Sequence, residues 1–122
     1  MQTVRDLNVF KKAHLLTLRI YEVTKFFPHE ELFGLTSQMR RVACSINSNL
    51  MEGGSKHSDK EYSRFILIAR GSASELNYQI ELVTDLNMIN KQDSEYLKSE
   101  INQIGKMLSA LHKSVTKNTT NA

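Results

Sequence analysis

Four runs of apolar residues, each stepping by four and three positions, constrain this chain more than any other feature of its sequence. From Val9 the residues Val9, Ala13, Leu16, Ile20, Val23 and Phe27 fall on one side of a single helix, because a helix of 3.6 residues per turn returns to the same face after three or four positions. Pro28 closes that segment, since the residue before a proline is pushed out of the α region. A second run, Leu35, Met39, Val42, Ile46 and Leu50, lies between Gly34 and the pair Gly53 and Gly54, which punctuate its ends. Ser58-Asp59-Lys60-Glu61 has the spacing of a capping box, with Ser58 accepting from the third helical amide while Glu61 reaches back. A third helix therefore starts there, and its run of Tyr62, Phe65, Ala69, Ala73, Leu76, Ile80 and Val83 covers about seven turns before Asn87 to Asn90 break it. The fourth run, Leu97, Ile101, Ile104, Leu108, Leu111 and Val115, is the most regular.

No stretch alternates with period two and no internal repeat is evident, so the economical fold is all-α: an antiparallel up-down-up-down four-helix bundle. Residues 1–116 form a single domain and 117–122 a frayed polar tail. A chain of 122 residues buries roughly two-thirds of its unfolded surface, enough for a core without staples. Gly71 and Gly105 fall inside helices three and four, where each costs about 1 kcal/mol relative to alanine; the expected return is close approach of a neighbouring helix, the alternative a tolerated surface glycine. Cys44 is the single cysteine, so no internal disulfide framework exists. The longest uninterrupted apolar run is Phe65 to Ala69, which leaves no signal peptide or membrane span and makes the cytoplasm the default compartment.

The residues that chemistry requires do not assemble. Di-iron bundles project ligands from Glu-x-x-His pairs, and the sequence has none. His14, His29, His57 and His112 lie far apart, and none sits at metal-ligand spacing from another histidine or from Cys44. Arg40 and Arg41 precede Cys44 by one turn, yet no histidine lies nearby to serve as base. Gly53-Gly54-Ser55-Lys56 lacks the strand and the spacing of a phosphate-binding loop. None of the six arginines has a histidine four to six residues later, the pattern of the small helical HEPN ribonucleases. The expectation is a protein without catalytic residues, metal or cofactor.

Helix two has a second face. At 100° per residue Arg41, Ser45, Ser48 and Glu52 cluster opposite the apolar stripe, within a run of small and polar residues from Cys44 to Asn49. Serine and asparagine are mediocre helix formers, so either a neighbouring subunit or a polar channel selects them, or the face is simply solvated. The candidate oligomer interface is Arg41, Ser45, Ser48, Asn49 and Glu52; Arg41 and Glu52 lie three turns apart, too far to pair within one helix, and suit a pair across a subunit boundary.

These residues carry a resemblance. Gly34-Leu35-Thr36-Ser37-Gln38-Met39-Arg40-Arg41, running into Ser45-Ile46 and on to Asn49 and Glu52-Gly53, resembles the 23S rRNA intervening-sequence protein family, also called the four-helix-bundle protein family. Asp6 to Ala13 is similar to the opening segment of that family; Ser58 to Phe65, then Ala69 to Leu76 with Gly71-Ser72 and Glu75, resemble its third helix, and Asp85-Leu86 its end. Asn47 departs from the pattern, standing where the family commonly has proline, which removes a kink and restores an amide donor. The resemblance implies a small bacterial bundle without enzymatic activity. It also implies kinship to accessory proteins of diversity-generating retroelements, which form ring-like homopentamers with a basic surface for nucleic acid and a partner reverse transcriptase.

Charge points to the same kind of partner. The net charge is +3, and between Arg40 and Arg70 six basic residues (Arg40, Arg41, Lys56, Lys60, Arg64, Arg70) face three acidic ones, while the remainder of the chain is balanced at ten against ten. Those six are the candidate nucleic-acid-binding residues; they would contact phosphates, helped by the partial positive charge at the start of helix three. Base stacking is expected to be minor because tryptophan is absent and most aromatics occupy core positions. The expected function is a non-enzymatic homo-oligomer, a pentamer by the resemblance, that binds RNA or DNA backbone, with an oligomeric scaffold for a protein partner such as a reverse transcriptase as the alternative.

Overall fold

A computed structural model describes residues 3–121, with side chains for residues 3–117. The helices are α1 (Asn8–Thr24), α2 (Ser37–Gly54), α3 (Asp59–Asp85) and α4 (Lys91–Asn121), preceded by a single 3-10 turn, Val4–Asp6. Between α1 and α2 the chain makes a 3-10 turn at His29–Glu31 and a π-helical turn at Leu32–Thr36, broken at Gly34. The helical backbone of α4 continues to Asn121, through the segment expected to be a polar tail.

Contacts between helices fix their directions. Lys12 Nζ lies 3.1 Å from Glu100 and Arg19 Nη2 lies 2.7 Å from Asp93; seven residues forward on α1 is seven back on α4, so the two run antiparallel and close the bundle. Asn47 Nδ2 donates to the Phe10 carbonyl at 2.9 Å and Thr17 Oγ1 to the Ala43 carbonyl at 3.3 Å, which sets α2 antiparallel to α1. Ser45 Oγ is 2.7 Å from Ser72 Oγ, while Gly53 packs on Phe65; α3 therefore returns along α2. The up-down-up-down bundle expected from the apolar spacing is the fold. Its core is continuous from Val9 to Val115 and takes the predicted positions of α1, α2 and α4, with Leu35 and Leu111 half-buried at its margins.

In α3 one position differs. Ile66 is fully buried and Phe65 is not, because the core stripe steps Tyr62, Ile66, Ala69, Ala73 rather than through Phe65. Half of the predicted capping box forms: Ser58 Oγ accepts from the Glu61 amide at 3.1 Å, but the Glu61 carboxylate turns to Arg64 instead of reaching back. A complete box forms instead at the N-terminal 3-10 turn, between Thr3 and Asp6. At the other end of α3, Asn87 takes φ 59°, and the amides of Asn87 and Met88 bond to the carbonyls of Thr84 and Val83, a Schellman ending with Met88 packed on the core.

The glycines exchange the roles that the sequence suggests. A methyl group at Gly71 or Gly105 would meet nothing within 4 Å, so neither brings helices together. Gly53 is the close-approach position, since a Cβ there would come within 2.7 Å of Phe65 Cβ, and at Gly54 it would collide with Val4. Replacing Gly71 and Gly105 by alanine should raise stability by about 0.5–1 kcal/mol each, whereas Gly53→Ala should lower it by about 1–3 kcal/mol. Ile66→Ala should cost about 2–5 kcal/mol and Phe65→Ala distinctly less; urea unfolding of the five variants measures the order.

Candidate nucleic-acid interface

The connection from α2 to α3, residues 55–58, brings Lys56, Lys60 and Arg64 to one end of the bundle. Gly53 admits the Phe65 side chain against α2, and Gly54 admits Val4 of the N-terminal turn. Phe65 thus lies beside the connection, with Lys56 Nζ 5.6 Å and the Arg64 guanidinium 4.6 Å from its ring centroid; a cation over an aromatic face is attracted by the ring quadrupole. Tyr62 stands half-buried one turn away, and burial pushes its phenol above the usual range. The sequence places both aromatics in the core; the structure keeps Tyr62 packed on its margin and puts Phe65 among the cations.

Two of the three cations have carboxylate partners. Lys56 Nζ is 3.3 Å from Glu52, and Arg64 Nε is 3.0 Å from Glu61. The Arg64 hydrogen bond holds the Glu61 carboxyl below the ordinary carboxylate range, and Glu61 raises the Arg64 guanidinium in turn. These pairs are solvent-exposed, so each contributes little and is weakened by salt. Lys60 is exposed and makes no ion pair among the described residues.

The other three predicted cations lie elsewhere. Arg40 is fourteen residues before the end of α2, roughly 21 Å along the helix, and is committed there: its Nε donates to Thr24 Oγ1 at 2.9 Å, its Nη2 to the Tyr21 carbonyl, and its guanidinium covers the Tyr21 ring. Arg41 is exposed beside it. Arg70 sits midway along α3, in a groove shared with Asn102, Gly105 and Lys106 of α4. What the sequence missed is that antiparallel packing carries the N-terminal turn and the end of α4 to the same place as the α2–α3 connection. The half comprising residues 3–15, 46–72 and 99–117 holds Arg5, Lys11, Lys12, Lys56, Lys60, Arg64, Arg70, Lys106, Lys113 and Lys117 against Asp6, Glu52, Asp59, Glu61 and Glu100. The opposite half holds six basic residues against eight acidic ones. The bundle is basic at one end and mildly acidic at the other.

On the second face of α2, Ser45 and Asn49 are engaged within the chain. Ser45 meets Ser72 and its own helix, and Asn49 Nδ2 donates to the Ser45 carbonyl at 2.8 Å. Arg41, Ser48 and Glu52 remain exposed. Next to them a groove of about 530 Å³ between α1 and α2 is lined by His14, Thr17, Cys44, Asn47, Ser48 and Met51, with Leu15 and Leu18 exposed on α1. The Cys44 thiol lies 3.7 Å from the Tyr21 hydroxyl, and this contact raises the Tyr21 phenol. Asn47, in place of the proline, leaves α2 unbroken and spends its side-chain amide on α1. Among the described residues no three His, Cys, Asp or Glu side chains gather as a metal site, and no helix is long and apolar enough to cross a membrane.

A family model described as 23S rRNA-intervening sequence protein matches residues 5–110. The chain belongs to this family. A crystal structure of a protein of unknown function from the S23 ribosomal protein family of Bacteroides thetaiotaomicron is similar, with a TM-score of 0.78 and 26% identity over 86% of this chain and 95% of that one. No curated protein matches. Within the family segment, Glu61 acts as the local neutraliser of Arg64. Glu61→Gln should free the guanidinium while unfolding stability changes little; if this end holds RNA, affinity at low salt should rise severalfold over wild type, and fluorescence anisotropy on the two proteins decides it.

Proposed function

We propose that this member of the 23S rRNA-intervening sequence protein family is a non-enzymatic, homo-oligomeric, nucleic-acid-binding protein that holds RNA or DNA by its phosphate backbone. The observation that carries the reading is the segregation of charge: ten cations against five carboxylates in one half of the bundle, with Lys60 among the ten and in no ion pair among the described residues. A polyanion gains from such an end because each phosphate neutralised by lysine or arginine releases condensed counterions. Assembly into an oligomer, a pentamer by family resemblance, through the exposed residues of α1 and α2 would repeat the basic end and supply avidity.

A protein-scaffold reading is favoured by a different observation. Phe26 and Phe33 are 86% and 92% exposed in the α1–α2 connection, at the acidic end, where a partner protein would cover them. Salt titration of binding to a structured RNA separates the two readings. The nucleic-acid reading expects log affinity to fall linearly with log salt, with the slope reduced by about one for each phosphate contact removed by Lys60→Ala or Arg64→Ala. Lys91→Ala at the acidic end should leave the slope unchanged. Binding that is absent at 50 mM salt, or insensitive to salt, would contradict it and leave the scaffold.

A further inference from the structure

The basic end contains a cleft as well as charges. Between the N-terminal turn, the close of α2 and the opening of α3 lies a space of about 700 Å³, walled by Val4, Leu7, Met51, Tyr62 and Leu111 and bordered by Arg5 and Lys56. Asp59 also borders it, so the rim holds two cations and one carboxylate. Gly53 and Gly54 form part of its wall, and the fit of Phe65 and Val4 against them fixes its shape.

A pocket with apolar walls, an aromatic ring and a few polar groups at its mouth is the usual form of a small-ligand site. Its position narrows the ligand. Any nucleic acid lying on Lys56, Lys60 and Arg64 passes the mouth, and the groups within reach there match the parts of a nucleotide. The Tyr62 ring offers a stacking surface and Arg5 and Lys56 offer charge to a phosphate, while the Thr3 and Ser55 hydroxyls are already bonded to Asp6 and the Glu52 carbonyl. A duplex keeps its bases stacked inside and would leave the apolar walls uncovered; a single strand can turn one base into the cleft, and base-aromatic stacking tolerates any base because each has a π face.

Resting on the nucleic-acid reading, we infer that this cleft receives one unstacked nucleotide of a single strand, with its base against Tyr62 and its phosphate between Arg5 and Lys56. The basic end is then selective for single-stranded over double-stranded nucleic acid, with little preference among bases.

Anisotropy at low salt with a labelled 12-nucleotide oligouridine and a 12-base-pair RNA duplex tests this on the full chain. The wild type should bind the single strand about tenfold more tightly than the duplex. Ser55→Trp adds bulk at the mouth without changing charge, and Tyr62→Leu removes the ring; each should abolish the preference while leaving duplex affinity and its salt slope in place. Tyr62→Phe should keep the preference, and circular dichroism verifies that each variant is folded. Equal affinity of the wild type for both ligands, or a preference that survives both Ser55→Trp and Tyr62→Leu, would overturn the cleft assignment and leave backbone binding standing. Failure to bind either ligand would overturn the nucleic-acid reading and the cleft with it.

Discussion

Antiparallel packing of four helices, each with a single apolar face, governs where every other feature of this protein lies. The stripes can all be hidden at once only if each helix turns its own toward a common axis, and the short connections make successive helices run in opposite directions. That register brings the N-terminal turn, the α2–α3 connection and the far part of α4 to one end of the bundle. It sends the α1–α2 and α3–α4 connections to the other. The basic end is therefore a product of topology: its cations come from three distant parts of the chain and share no local motif.

The glycine pair at the close of α2 ties this topology to the surface. Because Gly53 has no side chain, Phe65 can lie against α2, and because Gly54 has none, Val4 can pack under the connection. Together these contacts determine how the connection carries Lys56 over the Phe65 ring. The same contacts leave a cleft beside Tyr62. The packing contacts and the proposed recognition surface thus draw on the same few residues, at the close of α2, the start of α3 and the four-residue connection between them.

The fold was legible in the sequence because apolar spacing reports helix faces directly. Three of the four stripes coincide with the core, and the register error in α3 arises where Phe65 and Ile66 are adjacent apolar residues and periodicity alone cannot decide which points inward. The Gly71 and Gly105 misreading has a similar cause: a glycine inside a helix signals either close approach or nothing, and only the neighbours' positions distinguish them. The candidate site was legible only in part. Lys56, Lys60 and Arg64 are near one another in the chain and read as a group, whereas Arg5, Lys113 and Lys117 join them through tertiary structure. Arg40 reads as a candidate binding residue because nothing local reveals that Thr24 and Tyr21 lie within its reach.

Photo-cross-linking of an oligonucleotide to the intact protein, followed by mass spectrometry of the peptides, tests most directly the claim that one end of the bundle is the nucleic-acid surface. Cross-links should fall on peptides that contain Tyr62 and Phe65, together with the N-terminal turn around Arg5. Cross-links concentrated on Phe26, Phe33 or Tyr96, at the acidic end, would contradict the account.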